Sequence, residues 1–409
     1  MPGSEHYRQE AIVCDGAVRS GKTLAMGLSF FLWASTCFDG QRFGVCGKTV
    51  GSLRRNVLSE ILPRLEALGA QWKEKRSENL VTVRFLGREN QYYIFGGRDE
   101  SSASLIQGIT FAGILLDEVA LMPQSFVEQA CARCSVAGSR LWFNCNPAGP
   151  NHWHKVRWID AAAEKNLLYL HFTMDDNLSL SEKIKARYRA MYAGVFYERY
   201  IRGLWKTAEG LIYTTFTDAN IYNDETRPEG LELFGIKGIA CDYGTTNPCV
   251  FLKYYDTGDV IYFDDEYRWD SRSLEAQRTG QPQKTDAQYA EAMTAFMGTK
   301  PEEMCGIIVD PSAASFIQEL RGRGFIVTPA NNEVLDGIRK VSGLFEKKKI
   351  MINGSRCCGT IDELQSYVWD EKAASHGEDK PVKDKDHGCD SLRYAILSLP
   401  NWRFFSIGG

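Results

Sequence analysis

Gly16-Ala17-Val18-Arg19-Ser20-Gly21-Lys22-Thr23 is the stretch that decides the fold. It matches the pattern G-x-x-x-x-G-K-[ST] in full, between an apolar run, Ala11 to Cys14, and a stretch of helical periodicity, Lys22 to Thr36. A strand that turns through glycines into a helix presents backbone N–H groups to the oxygens of a phosphate chain. On that reading Gly16, Arg19, Ser20 and Gly21 shape a loop around ATP. Lys22 reaches the β- and γ-phosphate oxygens, and the Thr23 hydroxyl ligates Mg²⁺.

Such a site needs a carboxylate at the end of a neighbouring strand. Phe111-Ala-Gly-Ile-Leu-Leu-Asp117-Glu118 supplies two: Asp117 for the metal and Glu118 to polarise the attacking water, which argues for hydrolysis over transfer to a small acceptor. A third strand end, Leu141-Trp-Phe-Asn144-Cys-Asn146-Pro147, places two amides where a γ-phosphate sensor sits, although Asn before Pro is also ordinary turn chemistry.

Working outward, short apolar runs alternate with helical periodicity through the first half: Ala11 to Cys14, Phe43 to Cys46, Leu80 to Phe85, Tyr92 to Phe95, Phe111 to Leu116 and Leu141 to Phe143 read as strands, with helices over Ser52 to Leu68 and Gln124 to Ala137. This predicts an α/β domain with a mainly parallel sheet over residues 1–206, including a small helical lid near 180–206. Periodicity fades between Thr207 and Phe234, so 207–235 reads as a linker. The second domain, 236–409, restarts with strands at Gly238 to Cys241, Pro248 to Tyr255 and Val260 to Trp269, spaced for an antiparallel meander, then mixes helices and short strands up to a last helix from Cys389 to Leu399.

Composition bounds the function. A chain of 409 residues with 44% apolar and 24% charged residues is a folded protein with room for two cores. The longest apolar stretch is too short to span a bilayer, so no membrane role is expected and the chain is expected to stay where it is made. The 12 cysteines lack regular spacing and read as reduced core thiols. Net charge is -4, but unevenly spread: up to Trp205 there are 25 Lys+Arg against 20 Asp+Glu, and beyond it 23 against 32. Neither half is a basic nucleic-acid sponge, and the acidic half can collect carboxylates for a divalent cation.

Three aspartates there stand at element ends: Asp242 in Ile239-Ala-Cys-Asp242, Asp310 in Ile307-Ile-Val-Asp310-Pro, and Asp390 in Asp386-His387-Gly-Cys-Asp390. Carboxylates that converge repel one another unless cations sit between them, which points to Mg²⁺ or Mn²⁺. Two such ions about 4 Å apart hold the attacking water and the leaving oxygen of a phosphodiester. Singly, Asp310 also reads as a turn former and Asp390 as a helix N-cap. His387 reads equally as ligand, proton shuttle or surface residue.

With these motifs in this order the chain resembles the large subunit of tailed-phage terminases, the PBSX-like group in particular, over nearly all its length. Asp15-Gly-Ala-Val-Arg-Ser-Gly-Lys-Thr23, Leu115-Leu-Asp-Glu-Val119, Asn146-Pro-Ala-Gly-Pro-Asn-His-Trp153, Gly203-Leu-Trp205 and Asp386-His-Gly-Cys-Asp-Ser-Leu-Arg-Tyr394 carry the likeness. The resemblance implies an ASCE-type packaging ATPase followed by an RNase H-like nuclease with Asp242, Asp310 and Asp390 as metal ligands and His387 nearby. Arg19 becomes a cis sensor or finger, and Asn144 and Asn146 fall on a motif coupling hydrolysis to DNA movement. It also implies a ring, a pentamer on the portal protein, that handles double-stranded DNA chosen by a small terminase subunit. The place of action is the host cytoplasm and, transiently, the procapsid, but not the mature virion. Two departures stand out. Only 15 residues precede Gly16, where relatives carry a segment that packs on adenine, and Gln107 stands where several have a trans-acting Arg.

Weaker signals remain. Cys131-x-x-Cys134 with His152-x-His154 has the makings of a Zn²⁺ site, with packed apolar thiols as the alternative. Arg54-Arg55 suits DNA phosphates or a solvated helix face. Trp153, Trp158, Tyr197 and Trp205 read as core more than as stacking platforms. The rival functions are a helicase-type ATPase without nuclease activity, a portal-docking subunit with an ATP switch, and a small-molecule kinase.

Overall fold

The computed structural model describes residues 8–234, 236–245, 247–279, 283–298 and 306–399; residues 1–7 and 400–409, the outer ends of the two expected domains, lie outside them. The chain forms two compact units: Met1–Lys185 with Val195–Thr207 and Ala374–Glu378, and Ala186–Gly194 with Ala208–Ala373 and Asp379–Gly409.

The first unit holds eight strands: β1 Ala11–Gly16, β2 Arg42–Gly47, β3 Gln71–Lys75, β4 Leu80–Phe85, β5 Arg88–Gly96, β6 Gly113–Asp117, β7 Arg140–Asn144 and β8 Leu167–Phe172. They form one sheet in the order β3-β4-β5-β2-β6-β7-β1-β8. From β5 to β8 neighbours run parallel, and β3, β4 and β5 pair antiparallel. The helix Lys22–Cys37 buries Met26, Phe30, Trp33 and Ala34, a single stripe at helical spacing, against Phe43, Tyr92 and Trp142 of the sheet. Phe111, Phe126, Val127 and Phe143 build a second cluster with β1 and β6 residues. Because β7 lies between β1 and β6, three parallel strands end side by side, with Asn144 in register with both Cys14 and Asp117. Open α/β sheets bind ligands at such carboxyl ends.

The second unit holds β9 Ile221–Tyr222, β10 Ile236–Asp242, β11 Cys249–Asp256, β12 Ile261–Trp269, β13 Ile307–Val309, β14 Val327–Pro329 and β15 Ile350–Asn353, in the order β14-β13-β10-β11-β12-β15-β9. β10, β11 and β12 form the expected antiparallel meander, and every other neighbour runs parallel. Asp242 ends β10 and Asp310 directly follows β13, so the parallel pairing of these strands brings the two acids to one edge. The helix His387–Ser398 packs on β10 and β11, its Ser391 accepting the Asp242 N–H at 3.0 Å and donating to Val250 C=O at 3.2 Å.

Several elements differ from the sequence reading. The stretch 207–235 is more than a connector, because β9 pairs with β15 and Tyr213 and Asn220 are buried. A two-residue edge strand leaves no periodicity to read. β3 and β8 were not expected either: both are edge strands, and Gln71-Trp-Lys-Glu-Lys75 is largely solvated, so no apolar face marks it. The last helix begins at His387, so Asp390 sits within its first turn and Asp386 takes the N-cap position.

Candidate active sites

Gly16 has φ 132°, and a Cβ there would stand 1.8 Å from the Phe172 carbonyl oxygen, so only glycine lets β1 turn so close to β8. Ala17 N–H donates to Phe172 C=O at 2.8 Å and Val18 N–H to Tyr200 C=O at 2.7 Å. Gly21 at φ 87° then starts the helix Lys22–Cys37. Lys22 is buried; its ammonium donates to Ala17 C=O at 2.9 Å and to Asn146 Oδ1 at 2.6 Å. Burial lowers its pKa, opposed by Cys145, Asp117, Asp15 and Glu118. Ser20 Oγ is buried without a partner, a polar atom turned to no protein group.

The strand ends converge as the register requires. Thr23 Oγ1 donates to Asp117 Oδ1 at 3.4 Å, and Asn144 Nδ2 donates to Thr23 Oγ1 at 2.9 Å and to Asp117 Oδ1. Burial, reinforced by Glu118, pushes the Asp117 carboxyl up to about 6 against the pull of Asn144, Lys22 and Thr23. Glu118 takes φ 60°, a left-handed turn off the end of β6, and burial raises its pKa against Lys48 and Lys22. Arg19, Ser20, Lys22, Thr23, Asp117, Glu118 and Asn146 all line one cleft of about 530 Å³. Glycine turns, a buried ammonium and an orphaned hydroxyl suit the phosphate chain of a nucleotide, and the Thr23 hydroxyl and the Asp117 carboxylate are oxygen donors of the kind a divalent cation takes.

Sequence reasoning missed three features of this site. Arg55 lines the same cleft, whereas its neighbour Arg54 is engaged by Glu74 at 2.7 Å and Asn79 at 3.0 Å. Asn177 Nδ2 donates to the Arg19 carbonyl at 2.7 Å. Asp15, fully buried behind the loop, accepts from Trp205 Nε1 at 2.5 Å and from Tyr169 Oη at 2.9 and 3.0 Å, and lies 2.7 Å from His171 Nδ1. The signal was present: an acid directly ahead of the first loop glycine, and a lone Trp in Gly203-Leu-Trp205.

In the second unit Asp242, Asp310, Asp390 and His387 line one cleft of about 940 Å³, together with Arg268, Glu363, Lys383 and Arg393. His387 Nδ1 is 2.8 Å from Asp242 Oδ2. Burial raises the Asp242 carboxyl, Asp390 and Asp310 add to that, and His387 opposes it. Burial alone would depress His387, but the hydrogen bond and charge of Asp242 outweigh it and raise the imidazole. Asp310 accepts from Ser312 N–H at 2.7 Å and Tyr394 Oη at 2.5 Å; burial works against them, yet its carboxyl ends below the usual range. Asp390 meets Arg393 Nη2 at 2.7 Å and Lys383 Nζ at 3.2 Å.

Among the described residues, no three His, Cys, Asp or Glu side chains stand close enough together to hold an ion as placed. Around Asp242, Asp310 and Asp390 each acid is turned to a protein partner. The negative charges of Asp390 and Asp310 oppose ionisation of Asp242 across one cleft, and carboxylate oxygens gathered in this way are the donor set a hard divalent cation takes, so the residues fit such an ion by chemistry. Cys131 and Cys134 pack against the second apolar cluster of the first unit, where burial pushes the Cys134 thiol up to about 12. Trp153, Trp158 and Trp205 pack there too.

Comparison with known proteins covers both units. Residues 13–219 match the family model described as terminase large subunit, T4likevirus-type, N-terminal, and residues 249–399 match the terminase RNaseH-like domain. The crystal structure of a large terminase from a thermophilic bacteriophage is 50% identical, with 97% of this chain and 95% of that one covered at a TM-score of 0.89. The same phage's large terminase in complex with ADP aligns at 48% identity and a TM-score of 0.88 over 97% and 96% of the two chains. A terminase large subunit of Escherichia phage T5 is 28% identical over 367 residues, 83% of this chain and 79% of the relative. No helix among the described residues is long and apolar enough to cross a membrane. Matched in both halves and in order, the chain belongs to the terminase large subunit family of phage DNA packaging, as an enzyme with an ATPase domain and an RNase H-like nuclease domain.

Proposed function

We propose that the first unit hydrolyses ATP to drive double-stranded DNA into a procapsid and that the second cuts concatemeric DNA by metal-dependent phosphodiester hydrolysis. The motor works as a homo-oligomeric ring on the portal, pentameric by the family resemblance, with a small terminase subunit selecting the DNA. It acts in the host cytoplasm and transiently on the procapsid.

One observation carries the motor reading: the asparagines at and just beyond the end of β7 touch both halves of the phosphate site, Asn144 bridging Thr23 and Asp117 and Asn146 holding Lys22. A γ-phosphate that arrives on the loop competes with Asn146 for the Lys22 ammonium. The change at the phosphate is thereby felt at the start of Asn146-Pro147, in the segment that leads away from the sheet. Arg19 and Arg55 line the cleft where charge develops on the transferred phosphoryl group, and Glu118 orients the attacking water. Mg²⁺ bound by Thr23 and Asp117 would draw charge from the β- and γ-oxygens.

In the second unit, Asp242, Asp310 and Asp390 would hold one or two divalent ions, Mg²⁺ or Mn²⁺, which when bound supply a hydroxide-like water and stabilise the leaving oxygen. His387 orients Asp242, and the exposed Lys383 of the cleft meets the DNA backbone.

Glu118→Gln tests the motor. It should still bind ATP, lose about 10²- to 10⁴-fold in hydrolysis, and stop DNA packaging into procapsids in parallel. Packaging that continues in this variant would leave the portal-docking reading in place of a motor.

A further inference from the structure

One helix, His387–Ser398, supplies a partner to every one of the three acids: His387 to Asp242 at 2.8 Å, Arg393 to Asp390 at 2.7 Å and Tyr394 to Asp310 at 2.5 Å. Positions 387, 390 and 394 fall three and four residues apart, on one face of the helix, with Arg393 beside them. The acids themselves come from three separate elements, β10, the turn after β13 and the helix itself.

The helix is tied to its neighbours on several sides. Ser391 ties it to both β10 and β11 through the Asp242 N–H and the Val250 carbonyl. A Cβ on Gly388 would stand 2.3 Å from Thr360 Oγ1, so the first turn lies flush against the helix Cys358–Ser366. A Cβ on Gly337 would stand 2.3 Å from Arg393 Cγ, so the helix Val334–Glu346 clamps the arginine stem. Arg393 is buried, with Nη1 unpartnered while Nη2 holds Asp390. The Tyr394 ring is equally buried, which leaves its hydroxyl at one place, against Asp310.

We infer that Arg393 and Tyr394 are positioning residues of the nuclease site, and that with His387 they make this single helix the template that sets one oxygen of each of Asp242, Asp310 and Asp390 before a divalent ion arrives. Free carboxylates would each have to give up rotamer freedom on binding the ion, and a partner held on one oxygen of each lowers that cost. Partners of metal-ligating carboxylates change metal affinity or activity by about 10- to 100-fold when removed. The inference rests on the assignment of the three aspartates above.

Tyr394→Phe removes one oxygen atom and leaves the ring packing in place. The full-length protein, free of nucleotide, is titrated with Mn²⁺ by calorimetry, and plasmid cleavage is followed against Mn²⁺ concentration, beside wild type and Asp310→Ala. The expected result is an Mn²⁺ affinity about tenfold weaker for Tyr394→Phe, a matching rise in the Mn²⁺ needed for half-maximal cleavage, and recovery of the wild-type rate in excess Mn²⁺. ATP hydrolysis stays unchanged. Wild-type Mn²⁺ affinity in Tyr394→Phe, with binding and cleavage lost in Asp310→Ala, overturns the template and keeps the site. Wild-type binding and cleavage in Asp310→Ala overturns the site assignment itself.

Discussion

The two clefts are built by opposite means. The phosphate cleft is made by backbone: eight consecutive residues, Gly16 to Thr23, form one turn that opens at Gly16, where a Cβ has no room, and β6 and β7 add their ends in strict register. The aspartate cleft is made by side chains drawn from residues 242, 310 and 390, and one helix holds them in place. Charge is handled differently as well. Around the loop burial dominates and pushes Lys22 and Asp117 toward their neutral forms. In the aspartate cleft burial raises Asp242 too, but at Asp310 the hydrogen bonds of Ser312 and Tyr394 win over it. A site of shaped backbone tolerates little change of shape, whereas a site of oriented side chains loses function gradually as its partners are removed.

The largest effect expected from this contrast is at Gly16. Gly16→Ala drives a methyl group into the Phe172 carbonyl at a φ that L-residues avoid, and should lower the unfolding free energy by about 4 kcal/mol. Urea unfolding measures it, and a variant as stable as wild type would break the claim that backbone geometry builds the loop.

A smaller effect sharpens the electrostatic half of the comparison. His154 is fully buried beside Phe143 with neither ring nitrogen partnered, and burial, with His152 adding to it, pushes its pKa down to about 3. The unfolded chain therefore takes up this proton near pH 6.5 and the folded one does not. The stability tied to it is full above about pH 6.5 and falls by up to about 1.4 kcal/mol per pH unit toward pH 3. Asp117, raised to about 6, acts in the opposite sense, because its burial penalty is relieved as pH falls through that value. His154→Phe separates the two. Relative to wild type it should gain about 2 kcal/mol between pH 7 and pH 5 in urea midpoints, and an unchanged difference across that range would show that His154 reaches water.

The same contrast explains what the sequence made legible. Gly16 to Thr23 is contiguous and its chemistry needs each residue at its place, so the loop and the parallel sheet behind it can be read directly. Asp117, Asn144 and Asn146 follow because each ends an apolar run, and the register then brings them together. Asp242 and Asp310 were visible for the same reason. The roles of Arg393 and Tyr394 were not, since a hydrogen bond from Tyr394 to Asp310 spans 84 residues and leaves no local pattern. The edge strands β3, β8 and β9 escaped because solvated or two-residue strands have no buried face to mark them. Asp390, read as the start of a helix, lies within the first turn of one that begins at His387, and that shift is what places His387 and Tyr394 on its own face.

The central claim is that one chain carries two separable engines, and plasmid cleavage in Mn²⁺ with ATP turnover read in parallel tests it most directly. Lys22→Ala should lose about 10²- to 10³-fold in ATP turnover and keep cutting, because its buried ammonium serves only the phosphate cleft. Asp310→Ala should keep ATP turnover and stop cutting. A wild-type protein that never cuts under these conditions, or an Asp310→Ala variant that cuts at the wild-type rate, would contradict the account.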